Sequence, residues 1–271
     1  AQRIVRAKRK IRDAGIPFRI PSGSEAAERL GGVQHVLYLI FNEGYSAHAG
    51  DDLIRHELCR EAIALAGVVA RMLPETASVH AQLALFCLQA SRLPARVDAA
   101  GQPLTLEHQD RRLWDRGLIH RGCGALDHAL AMGDASAYAW QAQIAAEHAV
   151  APTYAETNWT RIQSHYHELY ELQPSPVVRL NAAVAIGMAE GPRAGLSYID
   201  AQREQMDAAL DAYHWYHLSR AELLHRAGDA TGAITAFRRA IAACENAVER
   251  AFIAGRLQSV QAATESAESI E

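Results

Sequence analysis

Small residues recur at a fixed interval through the second half of the chain. This constrains the fold more than any other feature. Ala183 and Ala221 are 38 residues apart, and Ala194 and Ala233 are 39 apart. The clearest copy is residues 214–247. There Ala221 and Leu224 fall on one helix, Gly228-Asp229 supply a turn, and Ala233, Ile234, Phe237 and Ala240 fall on a second helix. Small side chains let the two helices of such a unit cross closely, and larger ones fill the gap to the next unit. Residues 176–213 give a weaker copy. Residues 137–175 give a third, with Trp140 and Ala145 on one helix, Ile162, Tyr166 and Leu169 on the other, and Pro174 closing it.

This is the pattern of a tetratricopeptide repeat, stretched beyond the usual ~34 residues, so the middle copies are expected to be irregular. NAVERAFIAGRL reads as a terminal capping helix, and the Ser/Glu-rich tail, residues 261–271, as a fraying end. Residues 24–136 also carry helical periods. Ser22 with Glu25 fits a capping box that opens a helix running to about Asn42. After a loop in which Asp51 or Asp52 can cap, Ile54, Leu58, Ala62, Leu65, Val69 and Met72 trace one helical face, ended by Pro74. A third apolar helix covers 76–91. Residues 94–106 read as a loop with a short hairpin around Ala100-Gly101, and a fourth helix is expected from near Glu107 to Met132. The chain favours Ala, Leu, Arg and Glu over β-branched residues and aromatics. The expected fold is therefore all-α: a helical bundle at 24–136 continuing into irregular tetratricopeptide-like helix-turn-helix repeats at 137–260.

Charge divides the chain. Residues 1–12 hold six basic groups and no acid, including the only two lysines, Lys8 and Lys10, whereas the rest holds 21 basic against 31 acidic side chains. Residues 1–14 form an amphipathic helical pattern with Ile4, Ala7 and Ile11 on one face. Residues 15–23, with Pro17 and Pro21, form a linker. A basic end on an acidic body suggests contact with a polyanion. The chain opens without Met inside a helical pattern, so it reads as a piece of a longer protein.

Catalytic and metal signatures are missing. GxSxG, a phosphate loop, a dinucleotide fingerprint, HExxH and CxxC do not occur. His165 with His167, and His214 with His217, have no partner ligands at zinc spacing. The expectation is no enzyme, no metal and no cofactor. Cys59, Cys87, Cys123 and Cys244 form no disulfide framework. With no apolar run long enough to span a bilayer, the chain reads as cytoplasmic.

The segment HQDRRLWD, 108–115, gathers Gln109, Asp110, Arg111 and Trp114 at what reads as a helix start. Arg and Trp dominate protein-binding hot spots, but a core Trp behind a capping Asp looks the same in sequence. A buried Arg111 would need a carboxylate, with Glu43 and Glu61 the candidates. The favoured reading is a buried Trp114 with Asp110 and Arg111 partly exposed.

FNEGY at 41–45 is preceded by VLYLIF and followed by LCREAIALA at 58–66, SRLPAR at 91–96 and HQDRRLWD at 108–115. In that order these motifs closely resemble the extracytoplasmic-function RNA polymerase sigma factors that carry a long C-terminal tetratricopeptide-like extension. The start, AQRIVRAKRKIRDAGIPF, resembles the end of their region 4. Region 2 and the first helix of the helix-turn-helix are not in this chain, and His108 stands where the family pattern has Asp. The resemblance implies partners: RNA polymerase core, and promoter DNA through the −35 element. It implies a DNA-facing set of Gln2, Arg3, Arg6, Lys8 and Arg9. It also implies a protein-interaction set of Asn42, Glu43, Tyr45, Gln109, Asp110, Arg111 and Trp114. Two rival classes remain. One is a free-standing peptide-binding scaffold. The other is a small-molecule-binding helical domain, which requires a polar cavity that sequence does not reveal.

Overall fold

The computed structural model describes residues 9–10, 13–15, 24–46, 54–99 and 101–268. These divide into two compact units, residues 1–36 and 37–271. In the first, Arg9, Lys10 and Asp13 are helical and exposed, and Glu25 pairs with Arg29 at 2.6 Å. Ser22, Asp51, Asp52 and Ala100 lie outside the described residues, as do Gln2, Arg3, Arg6 and Lys8.

Among the described residues the fold is all-α, as the periodicity requires. The order is α1 (Ser24–Tyr45), α2 (His56–Met72), α3 (Ala77–Ala90), α4 (Arg116–Ala131), α5 (Ala137–Val150), α6 (Trp159–Leu172), α7 (Pro176–Ala189), α8 (Pro192–Asp200), α9 (Arg203–Leu210), α10 (His214–Arg226), α11 (Ala230–Ala243) and α12 (Ala247–Glu268). The expected hairpin near Gly101 appears as a single antiparallel bridge between Val97 and Pro103.

α3 is the centre of the first layer, because it is apolar on every side and so must be enclosed. Phe86, Leu88 and Val79 are fully buried on it, and it packs on α2, α4 and α5. Phe41 stacks flat on Phe86, ring centroids 4.4 Å apart. Helix starts follow local chemistry. Asp115, Ser136, Asn158 and Asp229 each accept a hydrogen bond from a first-turn N–H of α4, α5, α6 and α11. α2 begins after Arg55, whose side chain does not cap it.

The three repeats are α5/α6, α7/α8 and α10/α11. Ala183, Ala221 and Ala233 have no exposed surface. Gly228, at φ 84°, makes the turn between α10 and α11, a conformation that penalises any side chain. The middle repeat is long for a visible reason: α9 is inserted between its second helix and the next repeat. Met206 and Leu210 of α9 fill the core beside Ile199 and Tyr216. α12 packs on α11 as expected of a capping helix, but it continues beyond Val260 to Glu268 rather than fraying there.

The expected fourth helix also needs correction. No α-helix starts at Glu107. Thr105 Oγ1 and His108 Nδ1 lie 2.7 Å apart, the Gln109 amide donates to Leu104 O, and Asp110 accepts from Arg112 N. These local bonds hold the segment as a loop with one 3-10 turn, Arg111–Leu113, and α4 begins only after Asp115. Short polar side chains compete with the helix for its own backbone groups, and here they prevail.

Candidate functional site

The loop between α3 and α4 is built from the inside. Arg111 is 8% exposed. Its Nη1 donates to the carbonyls of His148 and, at 2.8 Å, Ala151, and its Nη2 donates to Thr157 Oγ1 at 3.3 Å. Its guanidinium also lies 4.6 Å from the centroid of the buried Trp114 ring. The expected partners are corrected: Glu43 pairs with Arg55 at 2.7 Å, Glu61 is exposed, and Arg111 binds neutral oxygens at the end of α5. This is physically reasonable, because the last carbonyls of a helix carry partial negative charge and lack intrahelical donors. Arg111 is therefore buried rather than half exposed.

Asp110 behaves as expected of a surface group. It pairs with Arg112 at 2.7 Å, and the hydrogen bonds from Arg112 hold its carboxyl down at about 2. Asn42 is exposed, and Gln109 is buried.

FNEGY and SRLPAR meet. Arg92 Nε donates to the Tyr45 hydroxyl at 2.5 Å and its Nη2 to Gln89 Oε1 at 3.3 Å. Arg96 donates to Tyr45 O and lies over the Tyr45 ring at 3.9 Å. HQDRRLWD joins them, since Asp115 N donates to Ser91 O at 2.7 Å. Three motifs far apart in sequence thus form one bonded cluster.

Beside this cluster lies a cavity of about 500 Å³. Its walls are the 103–109 segment, Arg92 and Arg96 on one side, and α6, α7, α10 and α12 on the other. Trp159, Tyr166, Trp215 and Phe252 give it aromatic surface. Two ion pairs stand in its wall, Arg226–Glu107 at 2.7 Å and Arg256–Glu222 at 2.8 Å. The inner groups are electropositive. Burial pushes Arg96 and Arg111 below their ordinary range, and repulsion from Arg92 adds to it. Burial, then Arg92 and Arg111, push the His148 imidazole down to about 3. His148 Nδ1 and Gln109 Oε1 are buried there without a hydrogen-bond partner.

Sequence spacing also missed a second grouping. His214, Cys244 and Glu249 bring a ring nitrogen, a sulfur and a carboxylate oxygen within 4.8 Å of one another. His214 Nε2 is 3.1 Å from Glu249 Oε2. His217, by contrast, bonds Asp211 O at 2.7 Å, and His165 faces Glu147 at 3.8 Å. They are interhelical or loop-anchoring groups.

Fold and site together define an all-α protein of paired, repeat-like helices with an arginine-bearing, aromatic-walled cavity. The profile of a family of unknown function, DUF6596, matches residues 29–130. That range ends within α4 and includes the FNEGY, SRLPAR and HQDRRLWD motifs. An uncharacterized protein of Rhizobium meliloti (strain 1021) is 44% identical over 261 residues, 96% of this chain and 61% of that protein. The chain thus spans about three fifths of the length of the curated relative it matches. No described helix is long and apolar enough to cross a membrane.

Proposed function

We propose that the chain is the C-terminal part of an extracytoplasmic-function sigma factor. In this reading the complete protein directs RNA polymerase core to promoters in the cytoplasm, and the helical extension is its interaction or regulatory module. The observation that carries the reading is the convergence of Tyr45, Arg92, Arg96 and the 109–115 segment. Three of the motifs on which the resemblance rests, FNEGY, SRLPAR and HQDRRLWD, are bonded to one another. The residues available to a partner on this unit are the exposed Asn42, with Glu43, Tyr45 and Asp110 half-buried beside it. Arg111, Gln109 and Trp114 hold the surface from beneath. Arg9, exposed and helical, is the described member of the DNA-facing set.

The test is promoter-specific transcription in vitro by the full-length protein with polymerase core. Asp110→Asn, which keeps the acceptor for Arg112 N, should lower transcript yield several-fold while the thermal melt stays nearly unchanged. A full-length protein that gives no promoter-specific transcript would sink the sigma-factor reading and favour the free-standing scaffold.

A further inference from the structure

We propose that the cavity binds a small organic anion, with a carboxylate or phosphate head held at Arg92 and Arg96 and an apolar body lying against the aromatic wall. The inference concerns the cavity alone and does not depend on the sigma-factor reading.

Charge is the first argument. Arg92 and Arg96 both line the cavity, and among the described residues their hydrogen bonds go to Tyr45 and Gln89, all neutral groups. No carboxylate of the described residues forms an ion pair with either within 4.0 Å, and Glu249 acts on Arg96 only as a weaker, longer-range charge. Arg111 lies behind them, also held by neutral oxygens alone. Gathering guanidiniums in a partly desolvated place without countercharge is unfavourable. By contrast, Arg226 and Arg256 in the same cavity are each matched by a glutamate. The uncompensated charge is that of Arg92 and Arg96, so an anion entering beside them gains charge-assisted bonds that no described carboxylate now takes.

Shape is the second argument. A volume of about 500 Å³ falls within the range that holds one drug-sized molecule. It is too small for a folded partner. Trp159, Tyr166, Trp215 and Phe252 offer flat apolar surface, with Arg92 and Arg96 the polar groups beside it. Few convergent polar groups among apolar ones is the usual composition of a ligand site.

The experiment is calorimetric titration of this chain with naphthylacetate, naphthyl phosphate and the neutral naphthylacetamide. Either anion should bind at least about tenfold more tightly than the amide, and the tighter of the two identifies the head group. Arg92→Gln should abolish that preference and leave the amide unaffected. Trp215→Ala, at the half-exposed cavity wall, should weaken all three, and Arg238→Gln, on the exposed side of α11, should change none. If Arg92→Gln does not fold, the native chain still decides: added chloride must weaken the anions and not the amide. The proposal is overturned if the amide binds as well as the anions, if folded Arg92→Gln binds like the native chain, if salt has no selective effect, or if none binds at millimolar concentration. Failure here would leave the transcription test standing, and the reverse also holds.

Discussion

Arg111 brings a permanent charge into an interior that offers it three oxygens and an aromatic face, but no carboxylate. Its fork is matched to groups on two different segments, the end of α5 and the loop before α6. Truncation leaves those oxygens buried and unpaired, so Arg111→Ala should cost about 2–4 kcal/mol in chemical denaturation. Arg111→Lys should recover less than half, because an ammonium cannot fork to separated acceptors while stacking on Trp114. Equal stability of the Lys variant and the native chain would refute this account. His148 gives a pH prediction. Its folded form resists protonation down to about 3, against 6.5 ordinarily, so between those values the unfolded chain binds the extra proton. Its contribution to stability is complete above 6.5 and declines as pH falls towards about 3, by at most ~1.4 kcal/mol per unit. His148→Phe keeps the edge-to-face contact with Trp159 at 5.2 Å and should flatten this part of the pH–stability curve.

At the scale of elements, the repeats depend on close helix crossing. A Cβ on Gly195 of α8 would stand 2.5 Å from Ala183 O and 3.0 Å from Gly187 Cα of α7. Backbone cannot yield as a flexible side chain can, so Gly195→Ala should destabilise the chain by roughly 1–3 kcal/mol despite its gain in helix propensity. Ala221→Leu and Ala233→Leu enlarge two positions with no exposed surface in one core and should each cost a similar ~1–3 kcal/mol. Unchanged thermal melting of these variants would mean that the helices are free to separate. The loop at 103–115 shows why element boundaries were less legible. Helical propensity around Glu107–Leu113 was ordinary, and the outcome turned on side-chain bonds of Thr105, Gln109 and Asp110 to nearby groups.

For the whole protein, the basic start and the helical body predict separable behaviours. Under the sigma-factor reading proposed above, Arg3→Ala or Arg6→Ala in the complete protein should weaken −35 duplex binding by roughly 1–3 kcal/mol where the contact is a bidentate guanine pair. This chain alone should bind DNA weakly and lose that binding steeply with salt, measured by fluorescence anisotropy across a salt series. Tight, salt-insensitive binding would contradict it. What the sequence determined by itself was the all-α class, the three helix pairs and the burial of Trp114, Ala221 and Ala233. These follow from local periodicity and residue size, which are properties of neighbours along the chain. Only the tertiary structure decided that Arg111 is held by carbonyls, that Tyr45 meets Arg92 and Arg96, and that His214, Cys244 and Glu249 converge. It alone revealed the cavity. Each of these pairs groups tens of residues apart, and a void has no sequence signature, because it is defined by where several helices fail to touch.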